Sequence, residues 1–239
     1  MIAAQIRFMR ANVAGRQMFA RWSRLHSYYC GIRPFIRCPD GLTSRAEQFI
    51  RDYCHWFDLE TPPDRRRRLL ERGIPEEQVD RYEEYDRRWG GLVLPPAPLY
   101  DEGPWYLAAD CLEPSPEGGW RFESGLERTS GCFGFEIGPN DEFAVRAHAP
   151  VALHESVEGW IEAMALAYDA VHRATRISRI DREEVDLDGF EPVPEVRGVT
   201  DTWWRRGETL VAVHTGVNLS FCMPLDQARV TRIYEGVRR

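Results

Sequence analysis

The sequence predicts an α+β protein in which N-terminal helices pack on a mixed, largely antiparallel sheet. The first part of the chain contains segments whose apolar residues recur at helical spacing, and short strand-like runs bounded by Gly and Pro follow them. One long amphipathic helix then separates the central strands from a last group of strands. Because helices and strands do not alternate one by one, this order favours α+β over a parallel βαβ fold.

The first predicted helix is basic. Apolar residues recur at helical spacing from Ile2 to Val13, and residues 1–39 contain seven arginines and no acidic residue. The remaining residues contain 24 arginines against 38 acidic residues, a formal charge of about −14, although the whole chain carries −7. We therefore expect a basic amphipathic arm over residues 1–40 and a single acidic α+β domain over residues 41–239, with strands at its C-terminal end. The arm is expected to pack on its own body, with a partner or a membrane surface as alternatives.

Three more helices are predicted before the strands begin. Either Thr43 or Ser44 is expected to cap the second helix, since a hydroxyl oxygen at that position can accept a backbone N–H. The third helix carries Arg65–Arg68, and the fourth begins at Pro75 and ends at about Trp89. Apolar residues of the fourth helix fall on one side, which indicates the face that packs on the sheet.

Short β-branched and aromatic runs predict the strands. The central runs are Leu92–Leu94, Trp105–Leu107, Trp120–Glu123, Gly131–Ile137 and Phe143–Ala147. Ser156 is then expected to cap the long helix, which extends to about Ala174. The C-terminal runs are Thr202–Trp204, Thr209–His214, Val217–Cys222 and Arg229–Tyr234.

Every one of the 31 basic residues is an arginine. The lack of lysine excludes a P-loop lysine, a lysine Schiff base and a lysine general base. Arginine-only usage is typical of a genome rich in G and C, such as that of an actinobacterium. No apolar run reaches the length of about 18 residues that a membrane helix needs. Six scattered cysteines without a secretion signal predict reduced thiols and a cytoplasmic location.

Two sets of residues carry metal-ligand types. The first is Cys30, Cys38, Cys54 and His55, which could bind zinc, although structural zinc sites usually contain two closely spaced ligand pairs. Buried free thiols are the favoured interpretation of these cysteines.

The second set lies in an acidic stretch. Glu184, Asp186, Asp188 and Glu195 follow the spacing of a calcium-binding loop, with a glutamate in place of the usual first aspartate. The alternative is a solvated acidic loop that leads into a proline-rich segment. No metal and no cofactor are expected otherwise.

Candidate catalytic groups are scattered along the chain. His148, His154, Glu155 and Cys54 could form an enzyme site if the fold brought them together. Isolated histidines are more often structural, and the chain has no nucleophile elbow. We therefore predict no catalytic residue and favour a protein that is not an enzyme. We do not expect nucleic acid as a partner, because the acidic body would repel phosphate.

Two motifs stand out in residues 75–175. An acidic helix runs into Trp89-Gly-Gly-Leu-Val-Leu-Pro-Pro96, which places a glycine step and a Leu-Pro at a strand end before Tyr100. Later, a turn and strand that begin at Gly138 are followed by a segment in which a strand leads into a helix headed by Ser156 and Trp160. With these motifs, residues 75–175 resemble the SUKH superfamily. The chain departs from the family where Asp101-Glu-Gly-Pro104 intervenes at the place of the usual apolar helix.

The resemblance implies a non-catalytic binding protein. Many SUKH proteins are immunity proteins that neutralise bacterial toxins, often nucleases or nucleic-acid deaminases, and others are regulatory or scaffold modules. An acidic body suits a basic toxin domain, because opposite charge steers association. We expect the partner to contact acidic residues and exposed aromatic anchors. These are Asp101, Glu102, Trp105, Trp120 and Trp203.

Overall fold

The computed structural model describes residues 37–59, 61–98, 103–127 and 132–238. All but the last few residues of the predicted arm therefore lie outside the described part. The described residues form one compact unit. The α+β class is confirmed, because the described residues form six α-helices and two antiparallel sheets, of seven and five strands. None of the described helices is both long enough and apolar enough to span a membrane.

The described helices differ widely in length. They are α1 (Ser44–Tyr53), α2 (Arg65–Glu71), α3 (Glu76–Trp89), α4 (Val157–Arg173), α5 (Gly216–Ser220) and α6 (Leu225–Ala228). The predicted caps are present: the Thr43 hydroxyl accepts the Ala46 N–H, and the Ser156 hydroxyl accepts the Gly159 N–H. The predicted long helix after the central strands is α4.

The first sheet is a meander whose spatial order follows the chain. Its strands are β1 (His55–Trp56), β2 (Leu92–Val93), β3 (Pro104–Pro114), β4 (Trp120–Glu127), β5 (Gly134–Ile137), β6 (Phe143–Arg146) and β7 (Pro150–His154). One face packs on helices: the rings of Tyr82 and Tyr85 on α3 meet Phe122 edge-on, and Trp160 of α4 stacks on Phe143 at 4.8 Å between ring centroids.

The second sheet has the order β8-β12-β11-β10-β9. Its strands are β8 (Arg176–Asp181), β9 (Glu191–Pro192), β10 (Asp201–Arg206), β11 (Thr209–His214) and β12 (Val230–Glu235). Trp203, Leu210 and Tyr234 on this sheet form a buried cluster with Leu166 and Ala170 of α4. Since α4 also packs on the first sheet, 12 of its 17 residues are buried, which explains why its apolar stripe is so broad.

Two of the elements that differ from the prediction have a clear physical cause. The run predicted as strand Val217–Cys222 is helical, because the Asp201 carboxylate accepts the N–H groups of Thr215 and Gly216 (3.1 and 3.0 Å) at the start of α5. Strand β8 was not predicted, because its residues become a strand through pairing with β12 at the far end of the chain.

Candidate functional site

A groove of about 730 Å³ lies between α1, the C-terminal half of α4 and the extended segment 191–195. Its floor is aromatic. The rings of Phe49 and Tyr53 on α1 lie 5.1 and 4.9 Å from the ring of Tyr168 on α4, measured between centroids. Phe49 and Tyr168 are themselves only 3 and 2 % exposed, so Tyr53 is the ring of this cluster that a bound chain can contact.

The first wall of the groove is α1, and one buried carboxylate fixes its position. Glu162 on α4 is only 3 % exposed, and its oxygens accept the Thr43 N–H (2.6 Å), the Thr43 hydroxyl (2.8 Å) and the Arg45 guanidinium (3.0 Å). Thr43 also caps α1. The ion pair and its hydrogen bonds therefore hold the start of α1 against α4, and this sets where the aromatic floor lies.

The second wall is an extended, proline-containing segment. Pro192 pairs with Trp204 of β10, and the Val193 N–H donates to the Trp203 carbonyl at 2.8 Å. Val196, at the end of the following turn, is buried in the core against α4. Because proline restricts its own backbone and Val196 anchors the turn, this wall is held at a defined distance from α1.

The arginines that line the groove already have partners within it or beside it. Arg45 pairs with Glu162, Arg173 pairs with Asp169 (2.6 Å), and Arg238 lies 3.7 Å from Glu208. The fourth lining arginine, Arg205, stands opposite Glu191 in the β9–β10 register and also has an interaction partner.

Three of the four lining carboxylates are different. Asp52, Glu191 and Glu195 are exposed and form no ion pair with a described residue, although Asp52 accepts an N–H of Gln48 at 2.7 Å. Burial raises the pKa of the Tyr53 hydroxyl, and the carboxylates of Asp52 and Asp169 raise it further. The charges that remain available to a partner are therefore mainly negative.

No protein-family model, curated protein or solved structure matches this chain. What the groove can bind therefore follows from its own residues. The SUKH resemblance stays a prediction.

The predicted partner-binding residues do not form one surface. Trp105 on β3 is 43 % exposed, and Trp120 is partly exposed at the start of β4. They lie at opposite ends of the β3–β4 pair, and neither lines the groove. Asp101 and Glu102 lie outside the described residues.

The prediction that Trp203 is a surface anchor is wrong. Its side chain is 3 % exposed and stacks on Tyr234 at 5.6 Å between centroids, in the core under α4. Side chains alternate along β10, so the neighbouring Trp204 points to the other face and is partly exposed.

The calcium-loop residues are not brought together. Glu184, Asp186 and Asp188 lie in the exposed loop after β8, where Glu184 pairs with Arg229 (3.3 Å) and Asp186 accepts the Asp188 N–H (2.9 Å). Glu195 instead lies in the second wall of the groove. The proline-containing segment between them carries Glu195 away from the other three.

The predicted zinc ligands do not form a cluster in the described part of the chain either. Cys30 lies outside the described residues, Cys54 is buried at the end of α1, and Cys38 is partly exposed. In the described part of the chain, the ligand atoms that lie within 4.8 Å of one another belong to Asp110, Cys111 and Glu123, and not to Cys38, Cys54 and His55.

The possible catalytic set has structural roles. His154 is 1 % exposed, and its Nδ1 lies 3.0 Å from the Val196 carbonyl. Burial lowers the His154 pKa to about 3, which keeps the imidazole neutral. His148 meets the ring of Phe221, Glu155 is exposed, and neither these two nor Cys54 lines the groove.

A separate acidic cluster lies on β3 and β4. Asp110 stands directly opposite Glu123 in the strand register, and both are exposed. Partial burial raises the Glu123 pKa, and the carboxylates of Asp110 and Glu127 raise it further. Like charges directly opposite each other on paired strands are destabilising.

We therefore expect Glu123→Gln to stabilise the protein at pH 7 by about 0.5 kcal/mol in urea unfolding. A carboxyl whose folded pKa is raised contributes its full stability below its ordinary pKa of 4.5 and loses it as the pH rises through the folded pKa. The gain should therefore disappear on acidification. Glu117→Gln, in the exposed turn between the two strands, should change little. A Glu123→Gln variant that is less stable than the parent at pH 7 would contradict this prediction.

Proposed function

We propose that this chain is a non-catalytic protein-binding protein that holds an extended, basic segment of its partner in the groove. One observation carries the proposal: the lining carboxylates of Asp52, Glu191 and Glu195 are exposed and form no ion pair with a described residue, and the ring of Tyr53 lines the same groove. Carboxylates are suited to arginine and lysine side chains, and the aromatic floor is suited to the apolar parts of the same segment.

Within this class, we propose an immunity protein that neutralises a toxin of the nuclease or deaminase type. The acidic body supports this, because nucleases and deaminases carry basic surfaces for phosphate, and opposite charge speeds association. The SUKH-like segment 75–175 adds the same implication. Its last part, the C-terminal half of α4, supplies Tyr168 and Asp169 to the groove. A regulatory or scaffold module would use the groove in the same way.

The groove is tested by removing its available charges. Asp52→Asn, Glu191→Gln and Glu195→Gln are combined in one variant, and binding of fluorescein-labelled arginine-containing decapeptides is measured by fluorescence anisotropy. We expect binding to weaken at least tenfold, about 1.4 kcal/mol. The matched control combines Glu77→Gln, Glu117→Gln and Asp226→Asn, which are exposed, remove the same charge and lie outside the groove. Equal weakening in both variants would show general charge attraction and refute the groove.

The immunity role is tested in cells. A toxin domain encoded next to this chain is expressed with the parent, the groove variant or the control variant. We expect the parent and the control to restore growth and to elute with the toxin on size exclusion, and the groove variant to do neither. If the parent binds the peptides but neither rescues growth nor binds the toxin, the groove stands and the immunity role is refuted.

A further inference from the structure

Tyr53 is a partly exposed aromatic ring of the groove lining, and neighbouring rings fix its position. Its centroid lies 5.8 Å from that of Phe49 on α1, and 4.9 and 6.1 Å from those of Tyr168 and His172 on α4. Phe49 and Tyr168 are buried, so they hold the ring from the core side. A ring that is already held loses little conformational freedom when a ligand binds to it.

This ring lies beside negative charge. Burial raises the pKa of the Tyr53 hydroxyl, and Asp52 and Asp169 raise it further, so both carboxylates lie near the ring. Asp169 pairs with Arg173 at 2.6 Å, whereas Asp52 forms no ion pair with a described residue. The face of an aromatic ring is negative as well. Tyr53 and Asp52 together therefore favour a cation that can contact the ring and the carboxylate at once.

The same combination holds an arginine elsewhere in this protein. The Arg65 guanidinium lies 5.2 Å from the centroid of the Tyr82 ring, and one of its nitrogens lies 2.7 Å from a carboxylate oxygen of Asp86. In all, five described arginines lie over aromatic rings, and none of these rings is Tyr53. Within the described part of the chain, Tyr53 is thus a ring beside a carboxylate without an ion pair, and no arginine lies over it.

We propose that Tyr53 makes the groove selective for arginine over lysine in the bound segment. The inference rests on the proposed function and adds to it the residue that discriminates between the two cations. A planar guanidinium can stack on the ring while its N–H groups donate to a carboxylate, whereas an ammonium group is a compact and strongly hydrated charge. Carboxylates away from the ring, such as that of Glu195 on the second wall, attract both cations.

The test uses pairs of peptides. Each fluorescein-labelled arginine decapeptide of the groove test is compared with a second peptide in which lysine replaces every arginine, and both are measured with the full chain by fluorescence anisotropy. The two members carry the same charge, so general attraction to the acidic body cancels in the ratio of their dissociation constants. We expect the arginine member of each pair to bind about threefold more tightly or better.

Three variants separate the ring from its surroundings. Tyr53→Phe keeps the ring and should keep the preference for arginine. Tyr53→Leu keeps an apolar side chain but removes the ring, so the two members should then bind within about 1.5-fold of each other. Glu195→Gln removes a charge of the same groove, and it should weaken both members and leave their ratio unchanged. If Tyr53→Leu fails to fold, an NMR titration of the parent replaces it: the arginine member should shift the Tyr53 ring resonances more than the lysine member does.

The outcomes distinguish this inference from the proposed function. Equal binding of the two members to the parent would overturn the selectivity and leave the groove in place. A preference for arginine that persists in full in Tyr53→Leu, or Tyr53 resonances that the arginine member does not shift, would assign the selectivity to other residues and overturn it too. If neither member of any pair binds, the groove itself is refuted, and the selectivity with it.

Discussion

Replacing Glu162 with leucine is expected to lower the free energy of unfolding by about 3–5 kcal/mol. Leucine has a similar volume but no acceptor. The Thr43 N–H, the Thr43 hydroxyl and the Arg45 guanidinium would all lose their bonds to the carboxylate, in a place where Glu162 is almost fully buried. A buried charge or donor left without its partner costs much more than an exposed one. Urea unfolding followed by tryptophan fluorescence measures the loss.

Two variants on α4 sharpen this prediction. Glu162→Gln keeps a side-chain carbonyl that can accept one of the three bonds. Its free energy of unfolding should therefore lie between that of the parent and that of Glu162→Leu. Asp169→Leu removes a more exposed carboxylate of the same helix that pairs with Arg173, and it should cost less than about 1 kcal/mol. If Glu162→Leu costs no more than Asp169→Leu, then Glu162 does not anchor α1, and the first wall of the groove has another support.

Acidification from pH 7.5 to pH 5 is expected to remove about 2 kcal/mol of stability through His154 alone. Burial lowers the His154 pKa from 6.5 to about 3; the nearby His214 lowers it further, and the bond to the Val196 carbonyl opposes the shift. A histidine with a lowered folded pKa contributes its full stability above 6.5 and loses it as the pH falls towards 3. At pH 5 the unfolded chain is protonated at this position, whereas the folded chain is not.

The variant His154→Gln isolates this effect. Its side-chain N–H can still donate to the Val196 carbonyl, but it does not titrate, so the loss between pH 7.5 and pH 5 should be smaller by about 2 kcal/mol. His148→Gln is the matched control, because it removes a histidine that precedes β7 and leaves the buried one. If the parent and His154→Gln lose the same stability over this interval, His154 becomes protonated within the folded protein.

Local signals in the sequence were enough for several elements. Thr43 and Ser156 precede α1 and α4 as caps, and a hydroxyl capping a helix depends only on residues three positions away. The amphipathic pattern of α3 likewise identified the side that packs on Phe122. These features could be predicted because their cause lies within one turn of the chain.

Other features depend on distant residues. Asp201, the first residue of β10, stabilises the start of α5. Strand β8 forms through its pairing with β12. Alternation requires Trp203 and Trp204 to face opposite ways, but only the position of α4 decides which of them is buried. The groove combines α1, α4 and the segment 191–195, so no single sequence motif predicts it.

Helix α4 packs on both sheets. Trp160 packs on the first sheet, and Leu166 and Ala170 pack on the second. Separation of either sheet from α4 would therefore expose apolar side chains of the helix to water. Local opening of one sheet is thereby coupled to loss of the whole core. Helix α4 lines the groove, and Val196 anchors its second wall in the same core. We therefore expect the groove to stay formed for as long as the protein is folded, and to need no rearrangement to admit a partner.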